Sequence, residues 1–576
     1  MKHNLSGWFC CLLAAMALVP TSISAAKKPA PQVLLTKDGE KLETQYAAQF
    51  VALQKEIMRV LPVVDEKKSS ALQQARDATK AAEKSAKEAQ QSLGKVQAAK
   101  GLVEHAKGKW IGGAEKGITQ AQAALTLANT ENERAAAKKD LAKWQANKEA
   151  GLKALGERQV ALDKINREFP VLIQANALAQ AALDKARASE RAAAMAILSD
   201  IEPFLASATG DAKLVKAAVL AAATPRGLAE FAQQGSVQTE LLDRLMKDAV
   251  LMQHMLTAGG AKFAKYGQAM QIYAAIQQTS PRAENGVLER LALATSLEHA
   301  VPITQSNAQN QTEAPTSVDP VKRYQHYAEA YLEGALDPAF QNFSAWELRM
   351  VVGCDAPDPI LAWGREMLRN YRPDHSDNPD YGWRYASTVR TEVLYGSQNV
   401  KYDLPSLQAY QNILRNGGVC GRRAFFGRFI LRSFGIPTWG VTQKAHAALS
   451  HWTPKGWVVN FGAGFEHSWW DKDEAPRSGV DFLRETQARK HVQDYTKVLR
   501  ARWISQVLGE QAYNDRMGVV GGFWSGLAQD LTELLADTAV KLDPLGQELA
   551  EANDPKLARI SHNLSRIEAA VGEISR

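Results

Sequence analysis

One cysteine in this chain stands where a nucleophile would be placed. The run Asn416-Gly417-Gly418-Val419-Cys420-Gly421-Arg422-Arg423 turns on paired glycines and passes into a helical pattern. Phe425 and Phe429 lie one turn apart, as do Phe426, Ile430 and Phe434, and Gly435-Ile436-Pro437 ends the run. Cys420 therefore opens a predicted helix of about fourteen residues. At such a position the helix dipole favours a thiolate, and free backbone N–H groups can receive an oxyanion. The glycines let the backbone approach a substrate closely. A base is predicted from the segment that follows. Residues 439–443 and 445–452 have strand character, Thr453-Pro454-Lys455-Gly456 is a turn, and 457–461 returns as a second arm. Counting outward from residue 453 sets His446 opposite Asn460, within cross-strand reach. A thiol, an imidazole and a group that orients it form the arrangement of a cysteine hydrolase. His451 is the competing base; five residues along a strand, it faces away from His446. His467 lies beyond the hairpin. Arg422, Arg423, Trp439 and His451 are the candidate substrate-binding residues, and Arg365, Arg372 and Arg384 could extend an anion-binding group. Exposed Trp and Tyr beside Arg would suit an acidic glycan or peptide.

The order of these features resembles the transglutaminase-like superfamily, which shares the papain-type core. Gly418-Val419-Cys420, Gly435-Ile436-Pro437, His446-Ala447 and Gly456-Trp457 occur here in the family's order, and the resemblance is strongest over 390–475. It implies that Cys420 is the nucleophile and His446 the general base and acid. The family usually carries Asp as third member, where this chain has Asn460; papain-type enzymes use Asn. Ala448 stands where the family often has Trp.

The elements that must position these groups differ along the chain. Leu42, Tyr46, Phe50, Leu53, Ile57 and Val60 follow helical steps, and Pro62 ends that run. A heptad-like seam made largely of alanine follows: Leu72, Ala75, Ala82, Ala86, Ala89, Leu93, Val96 and Val103. Trp110-Ile111-Gly112-Gly113 is the expected tip of an antiparallel hairpin. The return helix carries Leu125, Leu141, Trp144, Leu152, Leu155, Leu162 and Ile165. Residues 170–300 are helical, with breaks expected at Pro203, Thr224-Pro225, Gly259-Gly260 and Ser280-Pro281. The polar stretch 303–320 reads as a linker. Ten of the thirteen tryptophans lie at or beyond Trp346, which marks a change of composition there.

The expected fold class is α+β: a papain/transglutaminase-like core, a helix packed on an antiparallel sheet, preceded by a long all-α antiparallel hairpin. The expected division is a signal peptide (1–26), an Ala-rich helical hairpin (27–200), a helical segment (201–302), a linker (303–320), the transglutaminase-like domain (321–510) and C-terminal helices (511–576).

At 576 residues the chain exceeds a single core. Its net charge of +7 is concentrated in 27–200, where 29 Lys and Arg face 21 Asp and Glu. The two signs are interleaved, which argues against a nucleic-acid partner. Lys2 and His3 followed by an apolar run over 8–19 and small residues at 22–26 read as a cleaved signal peptide, so the expected location is periplasmic or secreted. Cys10 and Cys11 would leave with it. Cys354 and Cys420 remain, and in an oxidising compartment such a pair often forms a disulfide; the surroundings of Cys420 argue against that. No Cys/His cluster has metal-ligand spacing, and no metal or cofactor is expected.

The leading functional expectation is an exported thiol hydrolase or acyltransferase working on an amide or peptide bond through Cys420, His446 and Asn460. Its substrate would be a peptide or glycan of the cell envelope or exterior. Two other classes remain: a polysaccharide lyase for uronic-acid polymers, with a histidine base and a tyrosine acid, and a non-catalytic envelope scaffold whose hairpin mediates self-association or envelope contact.

Overall fold

The computed structural model describes residues 33–305, 317–371, 420–443, 446–460, 464–465, 468–469, 477–514 and 516–537. Cys420, Arg422, Arg423, His446 and Asn460 are placed by their backbone alone. The expected signal peptide, Arg372, Arg384 and His467 lie outside the described residues. The architecture is α+β: many helices and, among the described residues, one small antiparallel sheet.

Helix α1 (Lys37–Val60) begins at Thr36, whose Oγ1 accepts from Gly39 N at 3.0 Å. Then comes the hairpin, with a tip displaced from the sequence expectation. Helix α2 (Glu66–His105) does not turn at Trp110-Gly113. It passes through one π-helical stretch, Ala106–Ile111, directly into α3 (Gly112–Leu127). The reversal falls at Ala128, Asn129 and Thr130, where Thr130 and Glu133 form a capping box that starts α4 (Glu131–Ala206). The outgoing arm is thus roughly 90 Å long at ~1.5 Å per residue.

The glycines expected as the tip stand inside the helix with room around them, Gly113 having nothing within 4 Å of a Cβ placed on it, and close packing between the arms is made instead by Gly117 and Gly151. Gly112 is right-handed helical (φ −62°). A Cβ on Gly117 would lie 2.3 Å from the Trp144 ring, and one on Gly151 would lie 3.0 Å from Ile111. Trp110 Nε1 donates to Asn147 Oδ1 at 2.8 Å across the arms. Pro203, expected as a break, is accommodated inside α4 together with Pro170.

Shorter helices follow: α5 (Asp211–Ala223), α6 (Pro225–Ala232), α7 (Ser236–Lys247), α8 (Ala249–Thr257), α9 (Tyr266–Thr279) and α10 (Gly286–Glu298). Gly259 and Gly260 both take positive φ, as a break between α8 and α9 requires. Beyond the polar stretch come α11 (Pro320–Leu332), α12 (Ala345–Val352), α13 (Asp358–Tyr371) and α14 (Cys420–Ser433).

The sheet has the order β3-β2-β1-β4, with β1 (Thr438–Gln443), β2 (His446–Thr453), β3 (Gly456–Asn460) and β4 (Ser468–Trp469). Helices α15 (Gly479–Ala488), α16 (Val492–Val507) and α17 (Phe523–Asp537) complete the described chain. Helix α16 packs on α5 and the base of α4, where Arg500 meets Asp211 at 2.7 and 2.9 Å and Leu205 O at 2.7 Å.

One cluster of buried apolar side chains runs from Tyr46 of α1 through Leu291, Tyr327, Phe429 and Leu449 to Leu531 of α17. It has members on both sides of the 303–320 stretch, Leu297 and Ala300 before it and Tyr324 and Tyr327 after it. A second cluster joins Val441, Ala448, Trp457 and Val459 of the sheet to Met350 of α12 and Phe482 of α15. The sheet therefore lies between α14 on one face and α12 with α15 on the other.

Candidate active site

The helix that begins at Cys420 is held from its other end. Tyr327 OH donates to Arg432 O at 2.9 Å, and Arg365 Nη1 donates to Ser433 O at 2.9 Å. Arg432 itself reaches Gly353 O at 3.0 Å and Thr438 O at 2.8 Å. Two terminal carbonyls of the helix thus receive protein donors, one of them a cation at the negative end of the dipole. Arg365 is buried and also donates to His326 Nε2 at 3.1 Å, so it is a structural tie and not part of a surface anion-binding group. Burial, and then the Arg365 charge, push His326 down to about 3.

The chain reverses at Gly435, whose φ of +76° only glycine adopts freely, while Ile436 N closes on Leu431 O at 3.0 Å. A Cβ there would lie 2.6 Å from Phe340. Strand β1 then runs back along α14. Both elements span roughly 20 Å, at ~1.5 Å per helical and ~3.3 Å per strand residue. The end of β1 therefore returns to the level of the helix start. There Gln443 pairs with His446, the first residue of β2. The order helix, reversal, strand, hairpin thus brings Cys420 and His446 to one end of the sheet.

The same register separates the other predicted residues. Strands β2 and β3 join at Thr453↔Gly456, which leaves Pro454-Lys455 as a two-residue turn, with Gly456 at φ +134°. Asn460 consequently pairs with Leu449 and not with His446. Three residues of strand put it about 10 Å from the His446 rung. It also falls in the alternate set of positions, since a shift by an odd number of residues exchanges faces. The expected Cys-His-Asn triad therefore does not assemble around Asn460. Along β2, Leu449 enters the core shared with α14, whereas Ala448 packs toward Met350 and Phe482. By count, position 446 shares a face with Ala448, the one turned toward Met350 and Phe482, whereas Asn460 shares the α14 face with Leu449; His446 and Cys420 thus have the same level along the sheet but not the same face of it.

His451 pairs with Thr438, whose carbonyl is bound by Arg432 near the C-terminal end of α14. It is fully buried, and its Nδ1 lies 3.0 Å from Trp452 O. It sits about 17 Å of strand from the His446 rung and is excluded as a base for Cys420. Trp439 pairs with Ser450 and lies near Phe482, with ring centroids 6.3 Å apart. It too is at the far end of the sheet. The expected substrate-binding set Arg422, Arg423, Trp439 and His451 is therefore divided between two ends.

Cys354 is a free, buried thiol and forms no disulfide. Burial raises its pKa, followed by the Asp355 charge, which makes it a poor nucleophile. Arg323, wholly buried, arches over the same segment. It binds Val352, Cys354 and Ala356 carbonyls at 3.0, 2.6 and 2.5 Å and Asp358 at 2.5 Å. No spacing in the sequence signals this residue. Among the described residues no group of His, Cys, Asp and Glu could hold a metal ion, and no helix is long and apolar enough to cross a membrane.

Comparison with family models, with curated proteins and with solved structures gave no match for this chain.

Proposed function

We propose that the protein is an exported thiol-dependent hydrolase or acyltransferase that acts on an amide bond through a Cys420–His446 dyad. The observation that carries this reading is the common level of two chain starts. Helix α14 begins at Cys420 and strand β2 begins at His446, and β1 returns the chain between them over one helix length. The carboxyl end of α14 is tied down by Tyr327 and Arg365, which holds its opposite end in place. At a helix N-terminus the dipole lowers a thiol pKa, and Arg422 and Arg423 in the first turn add positive charge. Cys420 attacks the carbonyl carbon, the amine leaves with a proton from the His446 imidazolium, and an acyl-enzyme forms. Water activated by the neutral imidazole then releases the acid; an amine in its place gives transamidation. The resemblance in motif order to transglutaminase-like proteins supports the same assignment.

The test is turnover of amide substrates by purified mature protein and by Cys420→Ala and His446→Ala. Loss of turnover in both variants, with unchanged circular dichroism, is the expected result. Full turnover in Cys420→Ala would remove the thiol reading; cleavage of a uronic-acid polymer retained in Cys420→Ala would favour the lyase, and no turnover of any substrate by the wild type would favour a scaffold.

A further inference from the structure

A cavity of about 560 Å³ opens where the helical layer meets the far end of the sheet. This volume suits a ligand the size of a short oligosaccharide of two or three units or an acylated amino acid. The cavity is distinct from the Cys420 end: its sheet residue, Trp439, lies four rungs from the Gln443–His446 pair, about 13 Å along the strands. Its walls combine aromatic rings with an excess of cations.

Two carboxylates and five cations line it. Glu298 takes Lys262 and Arg349. Glu485 takes Arg477, Arg489 and Arg502 at 2.8, 2.8 and 3.3 Å, and Tyr495 OH donates to it at 2.9 Å. Arg477 also meets Asp481 at 2.9 Å outside the lining. Including Asp481, five cations face three carboxylates, an excess of two positive charges among the described residues. Burial would raise the Glu485 pKa, but the Arg489, Arg477 and Arg502 charges hold it well below the usual range. Its negative charge is therefore constant, and so is the residual positive excess. Arg477 Nε is buried without an acceptor.

The rings are arranged as a rigid wall. Trp346 and Trp439 both lie near Phe482, at 5.6 and 6.3 Å between centroids, and the Arg489 guanidinium lies 4.3 Å from the Trp346 ring centre. Preorganised guanidinium groups beside flat apolar surface recognise a carboxylate carried on a ring or short chain. A neutral ligand would leave the positive excess uncompensated in a partly desolvated site.

We infer that this cavity is a binding site for a small carboxylate-bearing ligand. The inference does not depend on the thiol chemistry, since Cys420 lies at the other end of the sheet. The carboxylate could belong to an acidic sugar or to an acylated acidic amino acid. Titration calorimetry and tryptophan fluorescence with galacturonate trisaccharide and with N-acetyl-L-glutamate distinguish these sources; maltotriose is the neutral control.

The expected result is saturable binding of one carboxylate probe and none of maltotriose, retained in Cys420→Ala. Lys262→Gln or Arg502→Gln, each with its melting transition checked, should weaken it about 10-fold or more. Wild-type binding should also weaken as sodium chloride rises from about 0.05 to 0.5 M, a readout independent of the variants. The inference is overturned if folded wild type saturates with neither probe up to about 10 mM. It is also overturned if maltotriose binds equally well, or if binding survives both variants and salt unchanged.

Discussion

A buried and a half-buried histidine should make the protein acid-labile in a way that can be dissected. His299 is fully buried between α10 and α12, with Nε2 3.0 Å from Val352 O, and burial and then the Arg323 charge lower its pKa to about 4. His326 is lowered to about 3 beside Arg365. Both are neutral in the folded protein and gain a proton on unfolding once the pH falls below the ordinary value. Their folded pKa values are depressed, so the unfolded state binds more protons and stability rises with pH. The contribution is intact above ~6.5 and declines as pH falls toward about 4 for His299 and about 3 for His326. At pH 5 the interval below 6.5 is about 1.5 units, or about 2 kcal/mol for each histidine. His299→Gln keeps a donor for Val352 O, and His326→Gln keeps an acceptor for Arg365, yet neither titrates. Urea denaturation of wild type and both variants at pH 7.5, 6 and 5 measures the difference. Each variant should lose about 2 kcal/mol less than wild type between pH 7.5 and 5. Parallel pH profiles in all three proteins would refute the assignment of these histidines as neutral in the folded protein.

The corrected hairpin makes opposite predictions for two glycines. Gly117→Ala should destabilise by about 1–3 kcal/mol because its methyl enters the Trp144 ring. Gly94→Ala, in open space on α2, should stabilise by about 0.5–1 kcal/mol; stabilisation by both, read by thermal melting, would contradict the packed arms. Arg323→Met should cost about 3–5 kcal/mol, since it strands three buried carbonyls and the Asp358 carboxylate. A loss below about 1 kcal/mol in chemical denaturation would show that those bonds are not formed.

The parts of the fold written in local grammar were legible. The helix over Cys420–Ser433, the helix stop at Gly435 and the existence of a hairpin around Pro454-Lys455 each depend on a few adjacent residues, and all are present, while the glycine turn before Cys420 lies outside the described residues. The register was not legible, because Thr453-Pro454-Lys455-Gly456 can close with more than one loop length. Closing at Thr453↔Gly456 moved Asn460 by three residues. The hairpin tip was misplaced because Gly112-Gly113 reads locally as a reversal although the helix runs through both, and the register of the arms is fixed by tertiary contacts such as Trp110 with Asn147 and Gly117 with Trp144. The cavity could not be foreseen: Lys262, Glu298, Arg349, Glu485 and Arg502 are brought together by tertiary packing from well-separated parts of the chain. The same holds for Arg323 and Arg365, which resemble solvated charges in sequence and are core ties in the structure.

The central claim is that Cys420, at the start of α14, is activated by an imidazole at the start of β2. The direct measurement is the pH dependence of iodoacetamide alkylation at Cys420, followed by peptide mapping, in wild type and His446→Ala. Wild type should show an apparent pKa at least about one unit below the ~8.5 of a free thiol, and His446→Ala should move it upward. An ordinary thiol profile that is the same in both proteins would contradict the account.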